Sequence, residues 1–201
     1  MKSIKTEGKT GRELYPLLTS SVIPRPIAWV STLAEEGHIN LAPFSYFNLV
    51  SSRPPMLMVS VGAREGIPKD TAVNILREKN FVVHLVSEPW LEAMNQTAAD
   101  VEASVSEVEM TGLTPVESTL IQTPGIKEAR VRLECEYDQH IDYPHSTIIF
   151  GHIKMIHIDD DVLDGHLVDP EKLAPIGRLG RNDYTTLGRV IHLPRPVKET
   201  R

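Results

Sequence analysis

Alternation of apolar and polar side chains is strongest at residues 130–138, Arg-Val-Arg-Leu-Glu-Cys-Glu-Tyr-Asp. There Val131, Leu133, Cys135 and Tyr137 share one face and charges occupy the other. A two-residue period of this kind marks a half-buried antiparallel strand. Residues 146–158 read as a second long strand whose apolar residues fall on both parities, so both faces should be covered, by the core or by another copy of the chain. β-Branched and aromatic runs at 25–33 and 81–86 are further strands, and 39–48 and 56–61 add two more, joined by the proline-stiffened Ser51-Ser-Arg-Pro-Pro55. Pro24 and Pro26 bracket Arg25 and lack amide donors, which puts the opening of the first strand at a sheet edge or entry.

Helical spacing appears at residues 69–79, with Ala72, Ile75 and Leu76 on one face, basic residues in the last turn, and Asp70 or Thr71 as N-cap. Ser87 caps a second expected helix, with Pro89 in its first turn, and residues 104–110 offer a short third one. The order has no regular alternation of strand and helix, so the expected fold is mainly β with peripheral helices, an antiparallel barrel. No repeat or linker interrupts it. Residues 12–192 read as one domain, with 1–11 and 193–201 as terminal extensions.

Charge narrows the classes of partner. The 201 residues carry 21 basic and 27 acidic side chains with no basic stripe, which disfavours nucleic acid. No apolar window reaches the ~18 residues of a membrane span, the first ten residues lack a signal-peptide core, and Cys135 is the single cysteine. The expectation is a cytoplasmic chain without disulfides or a membrane partner.

Asn40-Leu-Ala-Pro-Phe-Ser-Tyr-Phe-Asn48 mixes small residues, a proline and three aromatics. Pro43 would interrupt the ladder and free neighbouring amides for a flat ligand; equally, it reads as a bulge in an edge strand with Phe44 and Phe47 in the core. Lys69-Asp70-Thr71 combines an ammonium, a hydroxyl and first-turn helix amides, the elements of a phosphate site, although a solvated cap is the plainer meaning of such a triplet. His140, His145, His152 and His157 cluster along the chain, but His152 and His157 differ by five residues and point to opposite sides of a strand, so no metal set is expected. Cys135 lies on an apolar strand face, where a thiol is packing. No Gly-x-Ser-x-Gly, Gly-x-Gly-x-x-Gly or Gly-x-x-x-x-Gly-Lys-Ser/Thr motif occurs. Residues 176–184, with Arg178 and Tyr184, read as a segment wrapping a site or as a surface loop.

Taken in order, Pro24-Arg-Pro-Ile-Ala-Trp-Val-Ser-Thr32, Asn40-Leu-Ala-Pro-Phe-Ser-Tyr-Phe47, Pro54-Pro55, Lys69-Asp-Thr71 with Asn74-Ile75, and Arg178-Leu-Gly180 with Tyr184 resemble the flavin reductase-like family of FMN-binding split barrels, the group containing flavoredoxin. The resemblance implies non-covalent FMN at a homodimer interface. It implies that Ser31 and Thr32 lie near the flavin, and that Asn40, Ala42, Pro43, Phe44 and Ser45 contact it through backbone and the Ser45 hydroxyl. Lys69 and Thr71, with Asp70 at the helix start, would hold the phosphate, and Arg178 and Tyr184 would stand close by. It further implies an oxidoreductase with NADH or NADPH as donor and a flavin or redox protein as acceptor, needing no catalytic acid or nucleophile of its own. An FMN-binding electron carrier or storage protein is the alternative.

Overall fold

A computed structural model describes residues 1–196. Ten of the fourteen strands among the described residues, with five α-helices, frame the site. Helix α1 (Gly11–Ser21) leads into β1 (Ala28–Leu33), β2 (Ile39–Phe44), β3 (Phe47–Ser52), β4 (Pro55–Arg64) and the short β5 (Ile67–Pro68). Then come α2 (Asp70–Glu78), β6 (Asn80–Leu85), α3 (Leu91–Gln96), α4 (Glu107–Thr111), the small pair β7 (Pro115–Val116) and β8 (Gly125–Ile126), the long hairpin β9 (Val131–Tyr143) and β10 (Ser146–Ile158), and α5 (Pro170–Leu173).

The main sheet runs β2-β1-β6-β9-β10-β4-β3, antiparallel throughout. Its two edges, β2 and β3, are consecutive in the chain and separated only by Ser45 and Tyr46. Two residues span a few ångströms, so the sheet must roll until its edges meet. Among the described residues no ladder joins β2 to β3, and the closed sheet is therefore a split barrel. The Ser60 amide donates to the Tyr46 carbonyl (2.8 Å) and holds the corner against β4.

Side-chain alternation fills two cores. Ala28 and Val30 point into the barrel with Leu57, Val59, Phe81 and Ile149, while Trp29 faces outward into a second cluster with Leu41, Met94, Val108 and Ile126. β1 is therefore covered on both faces. Gly151 lies where a Cβ would come within 2.7 Å of the Phe81 ring, so a side chain there would force the barrel wall apart.

Several local expectations change. The run at 39–48 is two strands, because the chain turns at Ser45. Pro43 does not interrupt the ladder with β1: the register runs unbroken from Leu33↔Ile39 to Ala28↔Phe44. Residues two apart on a strand direct their amides to the same side, and the Leu41 amide points away from β1 to Glu107, so the donor Pro43 lacks would have faced the free edge. The first strand begins at Ala28, not Arg25, whose guanidinium is buried against the carbonyls of Thr19, Val22 and Leu179. Lys69, not Asp70 or Thr71, is the N-cap of α2; its ammonium has no acceptor and makes no cap bond, and Thr71 turns its hydroxyl inward to Asn40. The helix at 87–96 is a 3-10 turn (Glu88–Trp90) followed by α3; Ser87 occupies the N-cap position as expected, but its side chain makes no cap bond. The apolar pattern predicts no helix at α1. Its one sequence signal is the capping box of Thr10 and Glu13, since most of its apolar residues face outward.

Candidate functional site

A cleft of about 750 Å³ opens beside the barrel. Its floor is the edge strand β2 at Asn40, Ala42 and Pro43. One wall is the β4–β5 hairpin running into Lys69, Asp70 and Thr71, and the other is the segment 97–101 after α3.

The α2 end supplies donors. A helix leaves its first amides without internal partners; here the Ala72 and Val73 amides fall back on the Lys69 carbonyl, and those of Asp70 and Thr71 have no backbone acceptor among the described residues. The exposed Lys69 ammonium stands 5.8 Å from the centre of the Phe44 ring. Positive helix-end potential, two free amides and an ammonium together suit an anion.

Behind this end lies a chain of buried polar groups. Asn74 donates to the Thr32 hydroxyl (3.1 Å), and Thr32 and Thr71 both donate to the Asn40 side-chain oxygen (3.2 and 3.0 Å). The Asn40 amide donates to both carboxylate oxygens of Glu107 (2.9 and 3.1 Å), and the Leu41 amide to one of them (2.9 Å). Burial raises the Glu107 pKa, with the Asp70 charge adding to the effect; the Leu41 and Asn40 bonds offset it only in part. Because the Thr71 proton goes to Asn40, Lys69 and the two free amides are left as the donors at this end of the cleft.

Asn40, Ala42, Pro43, Lys69, Asp70 and Thr71 thus line one cleft, with Thr32 and Phe44 behind its wall. The other four candidates lie apart from that wall. Ser31 points to the opposite face of β1 and donates to the Pro124 carbonyl (2.7 Å). Ser45 accepts from the Arg25 side chain (3.3 Å). Arg178 stacks on the Tyr184 ring at 4.3 Å, and the Tyr184 hydroxyl donates to Asn95 on α3 (2.9 Å). Sequence reasoning missed Glu107, and also Arg64 and Asp100 on the facing walls. No local pattern distinguishes these three from solvated charges. Three of the four clustered histidines form separate pairs, His140 with Asp142, His152 with Asp138 and His157 with Glu134.

The model of the flavin reductase like domain matches residues 19–174. The chain belongs to the flavin reductase-like family. It is 43% identical to the uncharacterised protein YwrF of Bacillus subtilis over 93% of this chain and 95% of that one. Among solved structures, nitrilotriacetate monooxygenase component B from Bacillus cereus superposes with a TM-score of 0.94 at 38% identity, covering 96% of this chain and 98% of that one. The 2-nitrobenzoate 2-nitroreductase NbaA of Pseudomonas fluorescens superposes with a TM-score of 0.89 at 33% identity, covering 98% of each.

The family implies a flavin, and the cleft fits one. Its volume lies within the roughly 300–1,000 Å³ of small-molecule sites. Its floor at Ala42 and Pro43 carries small side chains, and its α2 end holds donors that match a phosphate and are not used within the fold.

Proposed function

We propose that this chain is an FMN-binding oxidoreductase of the flavin reductase type, taking electrons from NADH or NADPH and passing them to a flavin or a redox protein. The reading rests on one observation: a cleft of flavin-compatible volume has an ammonium and two unused helix amides at a single end. Likeness to a monooxygenase component and a nitroreductase supports a redox role.

Bound FMN would supply the electron chemistry. The chain's work is to hold and orient. Lys69 and the amides of Asp70 and Thr71 take the phosphate, while Ala42 and Pro43 present a flat edge to the ring. Glu107 fixes the Asn40 amide and so keeps that edge in place. Thr32 and Phe44 brace this wall from behind. Ser45, Arg178 and Tyr184, each engaged away from the cleft of its own chain, serve a flavin through a second copy, while Ser31, fully buried, supports β1 from within. Unpartnered apolar residues on α1 (Tyr15, Leu18) and on the edge strand β3 (Leu49, Val50) support a homodimer, which light scattering would report as twice 22.4 kDa. The lone, buried Cys135 thiol suits the cytoplasm.

The deciding experiment is the absorption spectrum of the purified protein, followed by separate anaerobic additions of NADH and NADPH. A flavin spectrum bleached by either donor is expected. Flavin that stays oxidised would leave an electron carrier without nicotinamide turnover, and a colourless protein that takes up no added FMN would overturn the proposal.

A further inference from the structure

Arg64, at the end of β4, and Asp100, in the segment after α3, form an ion pair across the mouth of the cleft. Among the described residues it is the one ion pair that joins the two walls. Both side chains are 68% exposed. An ion pair this wet adds little to stability and is readily exchanged.

The charges around the cleft leave an incoming anion in need of more than one cation. Arg64 and Lys69 face four carboxylates, those of Glu65, Asp70, Asp100 and Glu107. A phosphate monoester brings further negative charge, close to two units at neutral pH. Lys69 alone meets that poorly. Arg64 is on the same rim: it pairs with Ile67 in the β4–β5 ladder, two residues before Lys69, and the tight Glu65–Gly66 turn, with positive φ at both residues, fixes it at the hairpin end.

We infer, on the reading that the cleft takes FMN, that Arg64 determines specificity for the phosphate: Asp100 holds it in the ligand-free chain, and it passes to the phosphomonoester on binding. A planar guanidinium bonds two phosphate oxygens at once, and such charge-assisted bonds are roughly twice as strong as neutral ones. Asp100 competes for the same guanidinium, so its charge opposes the ligand.

Fluorescence titration of flavin-stripped protein with FMN and with riboflavin, which lacks the phosphate, tests this, with thermal melts to check folding. Arg64→Ala should weaken FMN about tenfold and leave riboflavin unchanged, whereas Asp100→Asn should tighten FMN about threefold. Unchanged FMN affinity in Arg64→Ala, an equal loss for both flavins, or an Asp100→Asn variant that loses FMN as Arg64→Ala does would overturn the inference and leave the FMN reading standing. A parent protein that binds neither flavin would overturn both.

Discussion

Glu107 and Glu134 are both almost wholly buried carboxylates that accept backbone amides, yet their surroundings drive them in opposite directions. At Glu107, on the cleft side, burial prevails and the pKa rises, helped by the neighbouring charge of Asp70. At Glu134, on β9, burial also pushes up, but the Thr119 and Leu120 amides (2.6 and 2.8 Å) and the His157 ring (2.6 Å) outweigh it and the pKa falls. Glu134 staples the loop 117–123 to the barrel with its acceptor capacity well matched. Glu107 ends a polar chain in a cleft crowded with acid. The difference separates scaffold from site: where a buried charge is fully answered it stabilises the fold, and where donors are left over they are available to a ligand.

That contrast can be broken at the scaffold first. Glu134→Ala leaves two amides and His157 without their acceptor and should cost about 3 kcal/mol of unfolding free energy in urea denaturation. Lys69→Ala should act the other way round, leaving stability within about 0.5 kcal/mol because the side chain is exposed, while weakening FMN by tenfold or more in a binding titration. Loss of stability without loss of FMN would move the phosphate elsewhere.

Acid should expose a second scaffold group. His84 is fully buried, donates from Nδ1 to the Trp29 carbonyl (2.7 Å) and accepts the Ile126 amide at Nε2 (3.0 Å), and burial pushes its pKa down to about 3. The unfolded chain therefore takes up this proton first, near pH 6.5, so the His84 contribution to stability is complete above that pH. It falls by up to about 1.4 kcal/mol per unit as the pH drops toward 3. Glu134, with its lowered pKa, adds a further loss as the pH falls below about 4.5. Glu107, with its raised pKa, has the opposite sign: its contribution is complete below about 4.5 and is lost as the pH climbs through its folded value. Melts of His84→Gln between pH 7 and 5 should show a flatter profile than the parent. The smallest effect belongs to Tyr184→Phe, which removes one exposed hydrogen bond to Asn95 and should change stability by about 0.5 kcal/mol or less.

Much of the scaffold was legible because its signals are local. Val131, Leu133, Cys135 and Tyr137 alternate within one strand, and three of the four are buried. His140 and Asp142 fall on one face, as their spacing requires, and pair. The Lys69 region reads as a helix start because capping and charge act within a turn. Helix α1 escaped because its apolar residues mostly face away from the core, leaving no amphipathic pattern matched to burial. The break expected at Pro43 does not occur, because a missing donor matters only on the side that has a neighbour, and which side that is depends on sheet order.

What the chain determined by itself is therefore short in range: strand periodicity, the proline and glycine breaks, the ordered motifs that mark its family, and an anion-ready helix terminus. What only the tertiary structure decided is long in range. Rolling the sheet brings Asn40 to Glu107, 67 residues away, and sets Arg64 against Asp100. Nothing in either local sequence encodes those meetings, because they arise from the closure of β2 onto β3 and from the helices that closure leaves room to dock.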